Sequence, residues 1–113
     1  MLPKNRRIKR SIFSHILSNS NRHNSNYFTL FVSNIPNGNE LSQFSFSVSK
    51  KVSKSAVDRN TKRRQGYSVI NKNLNIIKNG FYCFFVYKKT PKIDYVLLEK
   101  DIMKLLYNSG VLI

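Results

Sequence analysis

Residues 81–87, FYCFFVY, constrain this chain more than any other stretch. The run carries no charge, follows Asn79-Gly80, and ends at Lys88-Lys89. It is far too short to cross a bilayer as a helix. An apolar run rich in aromatic residues and bounded by turn signals reads as a central strand, covered on both faces. Such a strand needs neighbours on either side and layers above and below it. The rest of the chain must therefore supply more strands, and helices to cover them.

Candidates for both are readable. Residues 27–35, YFTLFVSNI, are rich in aromatic and β-branched side chains and predict a strand. Pro36 and Asn37-Gly38 mark a turn. Residues 43–49 then alternate strictly, with Phe44, Phe46 and Val48 on one face and Ser45, Ser47 and Ser49 on the other. That pattern predicts a half-buried strand pairing back on the first one. A helix is expected over residues 12–19, capped by Ser11, with Phe13, Ile16 and Leu17 as its apolar face. A longer helix is expected over residues 53–71, and a closing amphipathic one over residues 95–108. The closing helix places Leu98, Ile102, Leu105 and Leu106 at helical spacing, and Gly110 stops it. Residues 18–26 read as a polar loop, and residues 1–10 as a basic, extended or poorly ordered arm. The expected order is helix, strand, strand, helix, strand, helix: one α+β domain over residues 1–113, a small sheet packed by helices.

Charge narrows the function. The formal net charge is +15, and self-repulsion of that size opposes a compact state unless a polyanion balances it. Nucleic acid is the first expectation and an anionic membrane surface the second. The N-terminus is basic but lacks the apolar segment of a secretory signal. The single cysteine, Cys83, lies within the apolar run and reads as a buried, inert thiol. Together these features fit a reducing, cytoplasmic setting.

The charge concentrates in residues 50–67, KKVSKSAVDRNTKRRQGY, where Asp58 stands alone against Lys50, Lys51, Lys54, Arg59, Lys62, Arg63 and Arg64. On a helix Arg59, Lys62 and Arg63 share one face. The three other lysines extend that patch, and Asn60 adds a group that both donates and accepts hydrogen bonds. Ala56, Val57, Tyr67 and Ile70 are expected to seat the helix. Ordinary solvated helices mix charge signs, whereas this one gathers arginine forks and lysine point charges into a track for phosphates. The pattern alone does not choose RNA over DNA.

At these residues the chain resembles the protein component of bacterial ribonuclease P. The family signature is an alanine, two free positions, Arg-Asn, and a basic run; here it is Ala56-Val57-Asp58-Arg59-Asn60 followed by Arg63-Arg64. The lead-in Phe46-Ser47-Val48-Ser49-Lys50-Lys51-Val52 is also similar, as are Leu2-Pro3-Lys4, the basic residues through Arg10, Phe13, Gly80 and the leucine-rich last helix. Thr61 and Lys62 stand where the family usually has a basic and then an aliphatic residue. Gly66 and Tyr67 stand where it usually has a small or aliphatic residue and then a cation. Gly66 costs a helix interior about 1 kcal/mol relative to alanine, so an end or bend is expected near it.

The resemblance implies an αβββαβα sandwich, ribosomal-protein-S5-domain-2-like, with a left-handed βαβ crossover and a short extra strand near residues 50–52. It implies an accessory subunit of a ribonucleoprotein endoribonuclease that removes the 5′ leader of precursor tRNA. The active site and its Mg²⁺ ions would lie in the RNA subunit, so the partners are ribonuclease P RNA and precursor tRNA, with no membrane and no protein partner required. Lys50, Lys51, Lys54, Arg59, Asn60, Lys62, Arg63 and Arg64 would face the catalytic RNA. Arg10, Phe13, Phe28 and Phe46 would hold the leader, because single-stranded RNA favours aromatic platforms beside positive charge.

Two other readings compete. A structural RNA-binding protein, such as a small ribosomal protein, would carry the same charge without affecting cleavage. A free-standing ribonuclease would use His15 and His23 as an acid–base pair. No lysine or carboxylate is clearly placed beside either histidine. Glu40, Asp58, Asp94, Glu99 and Asp101 are scattered rather than convergent, as a two-metal nuclease requires.

Overall fold

The computed structural model describes residues 2–89 and 94–113. Its elements are α1 (Phe13–Ser18), β1 (Asn21–Asn24), β2 (Phe28–Asn34), β3 (Gln43–Ser47), α2 (Ala56–Lys72), β4 (Phe81–Tyr87) and α3 (Tyr95–Asn108). The strands form one mixed sheet in the order β1-β2-β4-β3. The apolar run thus becomes an interior strand, antiparallel to β2 from Phe28↔Tyr87 to Asn34↔Phe81 and parallel to β3 from Gln43↔Tyr82 to Ser47↔Val86.

The expected hairpin of β2 and β3 does not form, because β4 lies between them. The connection between β2 and β3 wraps around the entry to β4 instead. Ile35 donates its N–H to the Gly80 carbonyl at 2.8 Å, and Gly80 donates to the Glu40 carbonyl at 2.8 Å. Gly80 has a φ of +94°, and a Cβ there would stand 2.7 Å from the Gly38 carbonyl oxygen, so only glycine fits.

The polar loop expected over residues 18–26 contains a strand, β1, paired antiparallel with β2. As an edge it buries little and tolerates Asn, Arg and His, so it lacks the hydrophobic pattern of a half-buried strand. It is the first of the three consecutive strands in the αβββαβα order. Residues 50–52, where the extra strand was expected, form a turn in which Val52 and Ser53 both donate to the Ser49 carbonyl at 3.1 Å.

α2 starts at Ala56, later than expected, with Ser55 as its N-cap accepting the Asp58 N–H at 3.3 Å. Gly66, Val69 and Ile70 are buried and seat it, with Tyr67 packed against the same core. Ala56 and Val57 do not seat it; both are exposed, Val57 at 74%. The helix neither ends nor bends into a new element at Gly66. A Cβ at that position would lie 2.6 Å from two ring carbons of Phe46, so the missing side chain lets α2 rest directly on β3. Ser11 is not the cap of α1. It sits inside a 3-10 turn, Arg10–Ile12, that leads into the helix. Leu17, expected on the apolar face, is 56% exposed.

The N-terminal segment, expected to be extended or poorly ordered, packs against the sheet. Leu2 and Ile8 are buried, Ile8 donates to the Phe44 carbonyl at 3.1 Å, and the Arg6 guanidinium donates to the Ser42 carbonyl at 3.3 Å. The arm thereby covers part of the outer edge of β3. Further along, the Phe46 N–H donates to the Tyr67 hydroxyl at 3.4 Å.

The sheet has two unequal faces. On one, Phe28, Phe44, Phe46, Cys83 and Phe85 form the main core with α2 and α3. On the other, Ile8, Ile16, Ile35 and Tyr82 form a smaller cluster beneath the arm and α1. Phe84 and Val86 on that side remain half-buried, so β4 is fully covered on one face only.

Candidate nucleic-acid interface

Lys50, Lys51 and Lys54 stand exposed on the turn before α2. Arg59 holds that turn in place: its guanidinium donates to the Ser53 carbonyl at 3.0 Å and the Lys54 carbonyl at 2.9 Å. Asp58 pairs with Lys62 at 2.8 Å and also accepts from the Ser53 hydroxyl. The Lys62 carbonyl accepts the Tyr87 hydroxyl at 2.7 Å. Arg59 and Lys62, expected on the outer basic face, are therefore engaged within the protein, and the predicted set divides. Asn60, Arg63 and Arg64, joined by Tyr67, line a shallow groove on α2. The Asn60 amide oxygen accepts from the Arg63 guanidinium, which sets the pair side by side.

A second groove adjoins the first. It is lined by Lys4, Arg7, Ile8 and Lys9 of the arm and again by Tyr67. The basic surface therefore runs from the arm onto α2, with a tyrosine as the wall both grooves share.

The half-open face of the sheet has different chemistry. Phe13 tilts against Phe84 with ring centroids 4.9 Å apart, and Phe31 stacks on Phe84 at 6.0 Å. The Arg22 guanidinium lies 5.1 Å above the Phe31 ring. Of the aromatic residues expected to present a platform, Phe13 is partly exposed here, whereas Phe28 and Phe46 are buried in the core. Phe46 stacks on Phe85 at 4.6 Å and has no free face. Phe31 and Phe84 are the aromatic residues that share the half-open face with Phe13. Strand parity carried the signal: with Phe28, Leu30 and Val32 inward, Phe31 must point to the other face. Arg10 is exposed at the turn leading into α1.

His15 lies on α1 with its Nδ1 3.3 Å from the Asn19 amide, and His23 lies on β1. Among the described residues, no three His, Cys, Asp or Glu side chains are grouped to hold a metal ion. Burial pushes the Cys83 thiol far above its ordinary range. Among the described residues, no helix is long and apolar enough to cross a membrane.

Comparison with known proteins places this arrangement. The sequence model of the Ribonuclease P family matches residues 2–110. The comparison with curated proteins gives no match. Among solved structures, the ribonuclease P protein from Thermotoga maritima superposes with a TM-score of 0.82 at 20% identity, over 90% of this chain and 96% of that one. The ribonuclease P protein from Staphylococcus aureus superposes with a TM-score of 0.84 at 19% identity, over 96% of this chain and 98% of that one. These likenesses establish a shared α+β fold, and the family match over nearly the whole length goes further: the chain belongs to the ribonuclease P protein family.

Proposed function

We propose that this chain is the protein subunit of a ribonucleoprotein ribonuclease P, binding the catalytic RNA and the 5′ leader of precursor tRNA. The observation that carries the reading is the pair of chemically distinct surfaces on one small domain. The α2 surface, with the Lys50, Lys51 and Lys54 turn, offers cations and an amide to structured RNA. The face bearing Phe13, Phe31 and Phe84 offers stacking rings beside Arg22, which suits an unpaired strand.

The chain's own contribution is electrostatic and positional. Its cations replace the counterions that two RNAs would otherwise keep between them, and the gain is released as binding energy. Holding the leader fixes the cleavage site relative to the catalytic RNA, which lowers the entropic part of the barrier. Mg²⁺ held by the RNA subunit would supply the activation of the attacking water, with no ligand from this chain. Acidic residues of this chain serve internal pairs, Asp58 with Lys62 and Glu99 with Lys72. The setting that fits is the cytoplasm, where precursor tRNA is matured.

The test is cleavage of precursor tRNA at low Mg²⁺ by a bacterial ribonuclease P RNA, with and without the chain, alongside a chain-only control. Rescue by the wild type, and weaker rescue by Arg63→Ala with Arg64→Ala, supports the reading. Tight, salt-sensitive RNA binding without rescue would instead mark a structural RNA-binding protein.

A further inference from the structure

We propose that Tyr67 is a stacking platform for one unpaired base of the RNA bound on the α2 surface. The inference rests on the RNA-binding reading above and deepens it. Tyr67 lies among cations in both basic grooves but carries no charge itself, so at this point the surface offers a ring in place of a phosphate contact.

The ring is held ready. It packs edge-to-face on Phe46 with centroids 5.2 Å apart, and its hydroxyl accepts the Phe46 N–H at 3.4 Å. Gly66 makes this possible, because any side chain there would push α2 away from Phe46. Residues 66 and 67 thus work together: the glycine brings the helix down, and the tyrosine reaches the strand edge. A ring already fixed loses little conformational freedom when a base lands on it.

Its position favours a base over a phosphate. Tyr67 is half-buried and forms the shared wall of two grooves, with Arg63 and Arg64 lining one and Lys4 and Lys9 the other. A phosphate backbone passing from one groove to the other has cations on either side of the ring and an aromatic face between them. The nucleotide that crosses there places its base on Tyr67. A paired base has both faces covered by its neighbours, so the occupant is unpaired.

The probes are a single-stranded oligoadenylate of about ten nucleotides and an abasic chain of the same length and charge. Affinities are measured at one salt concentration for the wild type and for Tyr67→Leu, Tyr67→Phe and Tyr67→Lys. Tyr67→Leu is expected to bind the oligoadenylate about tenfold more weakly and the abasic chain as the wild type does. Tyr67→Phe, which keeps the ring, restores binding. Tyr67→Lys is expected to weaken oligoadenylate binding while tightening the abasic chain. If Tyr67→Lys tightens both, or Tyr67→Leu changes neither, the position is a plain part of the electrostatic track and the proposal fails.

Photocrosslinking the wild type to a 5-iodouridine oligomer covers the case in which a variant misfolds. A crosslink on Tyr67 supports the platform, and crosslinks confined to Phe13, Phe31 and Phe84 overturn it. If the wild type shows no salt-sensitive binding to single-stranded RNA or to ribonuclease P RNA, the RNA-binding reading falls as well.

Discussion

At the scale of single residues, Gly66 inverts the ordinary arithmetic of a helix. Alanine there gains about 1 kcal/mol of helix propensity. The new methyl, however, meets a Phe46 ring locked by Phe85, Phe28 and Tyr67. Overpacking of this kind costs about 1–3 kcal/mol, so Gly66→Ala is expected to lower the urea midpoint and the Tm. Combining it with Phe46→Leu should show strong positive coupling in a double-mutant cycle; additive losses would mean the ring yields freely. This residue also marks the limit of what local rules reveal. From sequence Gly66 reads as a weakness in a helix, because the ring it accommodates is twenty positions away in another element. The aromatic residues divide the same way. Phe13, expected on the apolar face of α1, does pack there against Phe84, whereas Phe28 and Phe46 drew attention for being aromatic when their strand parity already placed them with the core.

At the scale of elements, β4 was the most legible and its partners the least. An uncharged apolar run announces an interior strand, but alternation in β3 says only which side chains turn inward, never which strand lies beside it. β1 gave no signal, since an edge that buries little needs no apolar residues. The long basic segment was legible from its charge spacing and the closing helix from its apolar spacing and the Gly110 stop, and the N-terminal arm was not, because Leu2 and Ile8 are too sparse to form a pattern.

Two predictions belong at this scale. β4 carries Cys83 and Tyr87, both pushed far above their ordinary ranges by burial. The folded state holds these protons more tightly than the unfolded one, so stability is fully present below the unfolded values and falls as pH rises above about 9. Thermal melts from pH 7 to 11 should show that fall, and Cys83→Ala with Tyr87→Phe should flatten it; an unchanged slope would locate the alkaline sensitivity elsewhere. On α2, Ser55→Ala removes the cap and should cost about 1 kcal/mol, read as a lower urea midpoint with an unchanged m-value.

At the scale of the whole molecule, charge and shape are separable. RNA affinity should fall linearly on a log–log plot against salt, and Arg63→Ala and Arg64→Ala should each reduce the slope by about 1; variants that weaken binding without changing the slope would place these side chains off the phosphates. The arm belongs to the fold as well as to the charge. Deleting residues 2–9 removes the buried Leu2 and Ile8, a loss of about 3 kcal/mol, and uncovers the edge of β3 at Phe44. Denaturant titration should report the first effect and concentration-dependent sedimentation the second, since open strand edges self-associate.

The sheet order has a consequence for synthesis. β2 and β3 wait on either side of a strand that is translated after both, and after the whole of α2. Until the ribosome has passed Tyr87, the growing polypeptide is a polycation whose central ladder does not exist. On the proposed function, discrimination among RNAs begins only when β4 slots in, because until then the nascent chain offers charge without form.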